Sequence, residues 1–344
     1  MKMPGAFMKR EIAEIPQVLG RLIATDRSSF ASILKGSDHQ ITSIIIAARG
    51  TSDNAAHFLK YLIETTIGLP CGLASPSSVT LYDAPMRYES TLVVALSQSG
   101  QSTDLISYVD SARKHGALVL AITNDSASPL AKVADFHFFL GAGKEEAVPA
   151  TKTYVAQLLA CYLLVKDWNQ ETPRIENLSN TASQLLNREE ECLRFISGLD
   201  INRPIYILGR GVSYPNAREF ALKIQETCHI PVQSFSTSDF LHGPIASVDS
   251  GSQVLFLSPA HQPPSAFGEA LEKVRLNGSS IYWIGCTELA LSNEPCLWGA
   301  EAVDEAQSSI CDAILFQMAT YYLALKNGFD PDIPRGLTKV TLTV

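Results

Sequence analysis

The stretch Leu92-Val93-Val94-Ala95-Leu96-Ser97-Gln98-Ser99-Gly100-Gln101-Ser102-Thr103-Asp104 decides how the fold is read. Its consecutive apolar residues predict a buried strand. Leu105, Ile106, Val109 and Ala112 share one face at 3.6-residue spacing and predict a helix directly after it. Between the two lie only hydroxyls, amides and a glycine. A helix N-terminus offers unpaired N–H groups and the positive end of its dipole, so hydroxyls from Ser97, Ser99, Ser102 and Thr103 would complete a phosphate cradle. No lysine follows Gly100 as it would in a nucleotide P-loop. An N-cap and a polar turn would use the same residue types for purely structural reasons. This stretch alone does not choose between the two.

A repeat tips the balance. Ile44-Ile45-Ile46-Ala47-Ala48-Arg49-Gly50-Thr51-Ser52 is echoed by Ile205-Tyr206-Ile207-Leu208-Gly209-Arg210-Gly211-Val212-Ser213; Ile44 and Ile205 lie 161 residues apart, as do Ser97 and Ser258. In the second copy Val254-Leu255-Phe256-Leu257 runs into Ser258, a helical stretch passes Phe267, Leu271 and Val274 to Gly278, and Ile281-Tyr282-Trp283-Ile284 forms a third strand. The first copy has Ala117-Leu118-Val119-Leu120-Ala121-Ile122 in that place. Two similar α/β units therefore lie in tandem. The second cradle is replaced by Pro259-Ala260-His261-Gln262-Pro263-Pro264, whose prolines remove backbone donors. One copy reads phosphate and the other is its structural twin.

Length and composition agree: 344 residues with 46% hydrophobic content fit a cored α/β protein of about two domains. A net charge of −8 argues against nucleic acid or an anionic membrane as partner, since both favour a basic surface. The seven cysteines have no CxxC spacing and read as reduced thiols, which predicts a cytoplasmic protein. The N-terminus lacks the apolar core of a signal peptide, and no run of 18 apolar residues is present to span a bilayer.

Three further segments carry candidate chemistry. Gly141-Ala142-Gly143-Lys144-Glu145-Glu146-Ala147-Val148-Pro149-Ala150 is a loop ending at a long apolar helix from Thr151 to Val165, a place to hold a polar ligand or simply a capped helix. Ala217 to Glu226 reads as a helix too densely apolar to be wholly exposed, with Lys223 and Glu226 neighbours on one face; such a pair is most often a weak surface contact. His242, held between Phe240, Leu241 and the Gly243-Pro244 turn, is placed for proton transfer or for a structural hydrogen bond. Between the repeats, Ile175, Leu178, Leu185, Leu186, Phe195 and Ile196 recur at helical spacing and predict an interdomain helix.

Taken in order, Ala48-Arg49-Gly50-Thr51-Ser52, Ser97-Gln98-Ser99-Gly100, Val148-Pro149-Ala150-Thr151-Lys152, Ala221-Leu222-Lys223-Ile224-Gln225-Glu226, Leu241-His242-Gly243-Pro244 and Ile333-Pro334-Arg335-Gly336-Leu337-Thr338-Lys339 make the chain resemble the sugar isomerase (SIS) family. The likeness covers nearly the whole chain and is strongest to the isomerase half of glucosamine-6-phosphate synthases and to stand-alone deaminases. It implies an α/β fold of two tandem flavodoxin-like SIS subdomains, each a parallel five-stranded sheet flanked by helices. The expected divisions are an N-terminal helical segment over 1–35, subdomains over 36–167 and 201–328, an interdomain helix over 168–200, and a tail over 329–344 that reaches the active site.

The resemblance also implies roles. Ser97, Gln98, Ser99 and Ser102 would hold the sugar phosphate; Thr51, Ser52, the backbone near Val148, Ala150 and Thr338 would line the sugar. His242 would open the pyranose ring, Glu226 would shuttle a proton between C1 and C2, Lys223 would tune the carboxylate or hold developing oxygen charge, and Lys339 would contact the open chain. A homodimer is implied, with His242 a candidate to serve the neighbour's site. No metal or other cofactor is called for. Arg49 stands where the synthases have cysteine, Gln101 where they have an acidic residue, and Pro149-Ala150 where they have a small residue and serine, so the pocket floor differs. No glutaminase precedes the isomerase-like segment, which turns the expectation toward ammonia release: glucosamine 6-phosphate to fructose 6-phosphate. The rivals are a fructosamine-6-phosphate deglycase or other phosphosugar isomerase, and, from another class, a non-catalytic sugar-phosphate sensor, for which no DNA-binding helix-turn-helix is visible.

Overall fold

The computed structural model describes residues 3–27, 30 and 41–339. Parts of the expected 1–35 segment and residues 340–344 of the tail lie outside it. The chain divides into two compact units, neither contiguous in sequence: one comprises Gln17–Glu145, Lys152–Glu176 and Thr338–Val344, the other Met1–Pro16, Glu146–Thr151 and Asn177–Leu337.

The first unit is built on strands β1 (Ser43–Ala47), β2 (Cys71–Leu73), β3 (Thr91–Ser97), β4 (Leu118–Thr123) and β5 (Phe136–Phe139). They pair in the order β2-β1-β3-β4-β5, all parallel. Every residue of central β3 is buried, as its unbroken apolar run requires of a strand covered on both faces. Helix α1 (Thr51–Leu62) follows β1, and α2 (Thr103–Lys114) follows β3. The apolar face predicted for α2, with Leu105, Val109 and Ala112, packs on Val93, Ala95, Val119 and Ala121. Helix α3 (Lys152–Trp168) packs against α1. It is buried on all sides from Lys152 to Val165, the condition that lets a helix be apolar all round.

The second unit repeats the plan with β6 (Ile205–Gly209), β7 (Gln233–Ser236), β8 (Gln253–Ser258), β9 (Ser280–Gly285) and β10 (Cys296–Trp298) in the order β7-β6-β8-β9-β10. Even the register is kept: Ile46 pairs with Val94, and Ile207, 161 residues on, pairs with Leu255. Helix α4 (Tyr214–Cys228) follows β6, and α5 (Glu305–Lys326) closes the unit. Phe220 on α4 stacks on Phe316 of α5 at 5.3 Å, and beneath the sheet Phe256 stacks on Trp283 at 4.7 Å.

The expected interdomain helix is two helices, Leu178–Leu186 and Glu189–Ser197. Glu189, Glu190 and Glu191 favour a new helix N-terminus there, and Arg188 at the break donates to the Trp298 carbonyl. Among the described residues no helix is long and apolar enough to cross a membrane.

Candidate active site

In the first unit the strand order reverses between β1 and β3, the position at which doubly wound sheets open a crevice at their strand ends. The loops from Ala48 and from Gln98 both leave the sheet at this crevice. Ser97 is buried, and its Oγ accepts the Gly100 N–H at 3.0 Å. Ser99 Oγ accepts from Gln101 N–H at 3.3 Å. Gly100 has φ +62°, and a Cβ there would fall 2.3 Å from Ser128 Oγ, so only glycine fits. The loop after β4 holds the turn from behind: Asn124 N–H donates to the Gln98 carbonyl and Leu130 N–H to that of Gly100. Ser102 is the N-cap of α2 yet makes no side-chain cap hydrogen bond. The residues predicted for the cradle therefore do share one preformed turn, and the hydroxyl of an N-cap is not spent on its own helix.

Across the crevice, Gly50 (φ +56°) leads into Thr51, the first residue of α1. Ser52 faces inward: its Oγ accepts from Gln157 of α3 at 2.9 Å within the core. Arg49 extends to Asp104 in the first turn of α2, with Nε 2.8 Å from Oδ2.

The tail contributes to this same unit. Lys339 Nζ donates to Glu145 Oε2 at 2.9 Å, and fully buried Glu145 also accepts from the Thr153 N–H (3.2 Å) and Oγ1 (2.7 Å). Glu145 escaped the sequence reading because it lies in a polar loop where a glutamate ordinarily faces water. Thr338 beside Lys339 is exposed.

In the second unit, Val148 and Ala150 are half-buried in a segment held from two sides. The buried Glu11 carboxylate accepts the Glu146 and Ala147 N–H groups, and Gln317 Nε2 donates to the Thr151 carbonyl. Glu11 is a second acid that the sequence did not betray.

Lys223 and Glu226 are not a surface pair. Lys223 is fully buried on α4, 2.5 Å from Glu226 Oε2 and 3.3 Å from Glu219 Oε1, and Glu219 is also fully buried. Burial by itself would lower the lysine pKa, but the two carboxylates outweigh it and hold the ammonium above its ordinary value. Glu226, 16% exposed, is the member of this group open to solvent. Glu219 was missed because the i,i+4 spacing that ties it to Lys223 is indistinguishable in sequence from a surface pair. His242 caps the helix Thr237–Leu241 and is exposed; no hydrogen bond joins its ring to the Glu219–Lys223–Glu226 group.

At the corresponding strand ends of the second sheet, the polar side chains of the loop are bonded to neighbouring loops. Gln262 Nε2 donates to the Arg210 carbonyl at 2.7 Å and to Glu305 Oε1 at 2.9 Å, and a His261 ring nitrogen lies 2.7 Å from the Ala302 carbonyl oxygen.

Fold and clusters together define a tandem α/β protein with a hydroxyl-rich turn at the strand ends of one sheet and a lysine buried between two acids on a helix of the other unit. The chain belongs to the SIS-domain family, whose model matches residues 39–166 and 200–326. It is 30% identical to the isomerizing glutamine–fructose-6-phosphate aminotransferase of Thermococcus kodakarensis over 97% of its own length, and spans 57% of the length of that relative. A Silicibacter pomeroyi structure provisionally named a phosphosugar isomerase matches with TM-score 0.82 and 29% identity, over 94% of this chain and 99% of that one. The glucosamine-6-phosphate deaminase of Thermotoga maritima shares the fold at TM-score 0.79 and 19% identity, over 98% of this chain and 100% of that one. With such relatives the chain stands among the enzymes of the family.

Proposed function

We propose that this chain is an isomerising deaminase that converts glucosamine 6-phosphate and water to fructose 6-phosphate and ammonia. The observation that carries the reading is Glu226: a carboxylate open to solvent, backed by a buried ammonium that a second buried carboxylate keeps charged. Such a group can remove and return a carbon-bound proton without losing its orientation.

In this reading Ser97, Gln98, Ser99 and Ser102 bind the phosphate, with Thr51, Val148, Ala150 and Thr338 along the sugar, while Ser52, its hydroxyl turned to Gln157, supports Thr51 from the core side. His242 takes the proton of the O1 hydroxyl and protonates the ring oxygen, opening the pyranose. Glu226 takes the C2 proton and delivers it to C1 while O1 gains a proton and the amine nitrogen loses one, leaving a C1 hydroxyl and a C2 imine. Water adds to C2, the C–N bond breaks, and ammonia leaves, so one water enters for each ammonia released. Lys223 holds Glu226 in place, and Lys339 lies against the open chain. The Thermococcus relative is named for isomerising amination of fructose 6-phosphate. A catalyst lowers a barrier in both directions, so the sugar half of that chemistry run backward is the release proposed here.

The test is ammonia release across amino-sugar 6-phosphates and fructosamine 6-phosphates, with calorimetric binding of fructose 6-phosphate. Glu226→Gln is expected to slow turnover by roughly two to four orders of magnitude while binding survives. Equal turnover in wild type and variant would remove Glu226 from the chemistry. Turnover confined to fructosamine phosphates would make the protein a deglycase, and binding without turnover on any substrate would make it a sensor.

A further inference from the structure

The cradle carries a charge that phosphate recognition has to contend with. Asp104, 3% exposed, lies in the first turn of α2. Its Oδ1 accepts the Leu105 N–H at 2.8 Å, so it already occupies one donor of the helix end. A carboxylate favours that position for the same electrostatic reason as a phosphate, and an unmasked one would repel a phosphate bound within the same turn. Its other oxygen, Oδ2, accepts from Arg49 Nε at 2.8 Å and lies 2.7 Å from Nη2. Arg49 comes from the loop after β1 and Asp104 from the helix after β3, the two strands between which the order reverses. The pair therefore spans the crevice from one lip to the other. Both guanidinium contacts fall on a single carboxylate oxygen, and the arginine side chain stays 46% exposed.

We propose that Arg49 is a positioning residue for phosphate recognition: it masks the Asp104 charge and ties the β1 loop to the α2 N-terminus, so that the cradle meets the sugar phosphate with the helix end unopposed. This rests on the cradle being the phosphate site. It gives a reason for arginine at a position where the resembling synthases carry cysteine. It also makes the affinity for a phosphate dianion depend on a residue that need not touch it.

The experiment is calorimetric binding of fructose 6-phosphate, and separately of inorganic phosphate, to wild type, Arg49→Met, Asp104→Asn and the double variant, with KM and kcat for ammonia release. Arg49→Met is expected to weaken binding about tenfold or more, the loss falling on KM rather than kcat. The double variant is expected to recover to within about threefold of wild type, because the carboxylate charge that Arg49 offsets is then gone. Asp104→Asn alone should bind at least as tightly as wild type. Should Arg49→Met fail to fold because buried Asp104 has lost its guanidinium, the other two variants still decide, since neither takes the arginine from an ionised Asp104. Wild-type affinity in Arg49→Met overturns the inference, and so does a double variant that binds as weakly as a folded Arg49→Met or at least tenfold more weakly than wild type, since the guanidinium would then be contacting the phosphate itself. Failure of the cradle reading looks different: Ser97→Ala with Ser99→Ala would leave wild-type binding of fructose 6-phosphate intact, or wild type would not bind it at all.

Discussion

Lys223 holds two carboxylates from the interior of α4, and the consequence of removing it differs from that of removing either partner. Lys223→Met takes the buried ammonium away from buried Glu219, a change that costs about 3–5 kcal/mol in comparable pairs. It is expected to lose thermal stability and turnover together, whereas Glu226→Gln loses turnover alone; equal unfolding temperatures for wild type and Lys223→Met would contradict this. Asp312 gives a second residue-scale outcome. It is buried in α5 with neither oxygen hydrogen-bonded, and burial pushes its pKa up to about 8. The folded state therefore keeps a proton that the unfolded chain has already released, so stability is lost as pH rises from the ordinary carboxylate range through about 8. Asp312→Asn removes that dependence. Its unfolding temperature relative to wild type should climb between pH 5 and pH 8, and a difference that does not change with pH would refute the account.

At the scale of the element, the strand–turn–helix of β3 and α2 separates two hydroxyls that look alike in sequence. Ser97 is buried and holds the Gly100 N–H, whereas Ser99 is only partly buried and bonds the less enclosed Gln101 N–H. Ser99→Ala is expected to weaken sugar-phosphate binding with an unfolding temperature near that of wild type. Ser97→Ala should lower both, because a buried donor left unpaired costs about 1–3 kcal/mol. Calorimetry and thermal unfolding of the two single variants check this; the reverse pattern would mean that Ser99, not Ser97, supports the turn. The strand–turn–helix itself was legible in Leu92 to Asp104, since an apolar run emptying into hydroxyls and a glycine before an amphipathic helix marks a turn at a helix start. The division of labour was not, because it follows from the loop carrying Asn124, Ser128 and Leu130, which closes on the turn from another part of the sheet. The edge strands β2, β5, β7 and β10 were also illegible as patterns: three or four residues, partly exposed, show no period long enough to recognise.

For the whole molecule, the two repeats predict unequal function from equal folds. The turn after the central strand offers hydroxyls in one copy and is Pro259–Pro264 in the other, where Gln262 bonds Glu305, so titration is expected to give one sugar phosphate per chain; two equivalent sites would be a clear contradiction. His242 is exposed and unbonded to the Glu226 group, which suits a residue serving a second copy. If the protein is a dimer of that kind, mixing Glu226→Gln with His242→Ala should restore about a quarter of wild-type ammonia release, because half of randomly re-paired dimers hold one intact site. No recovery after mixing, with subunit exchange verified by native mass spectrometry, would place both residues in a site of one chain.

The tandem α/β plan, the strand–turn–helix that carries the hydroxyls and its difference in composition from the second copy were all determined by the sequence itself. Each follows from local patterns, namely apolar runs, helical spacing, hydroxyls at a helix start and prolines where donors would be needed, and such patterns act over a few residues and recur at a readable interval. What only the tertiary structure decided is which polar groups lose their water. Glu11, Glu145, Glu219, Lys223 and Asp312 are ordinary surface residues by type and spacing, yet all are buried. Each owes its burial to segments remote in sequence or to the packing of a whole helix, as with Lys339 on Glu145 across 194 positions and Glu11 on Ala147 across 136. A charge acquires its chemistry from the dielectric around it, and that environment is assembled by the fold rather than written in the neighbouring residues.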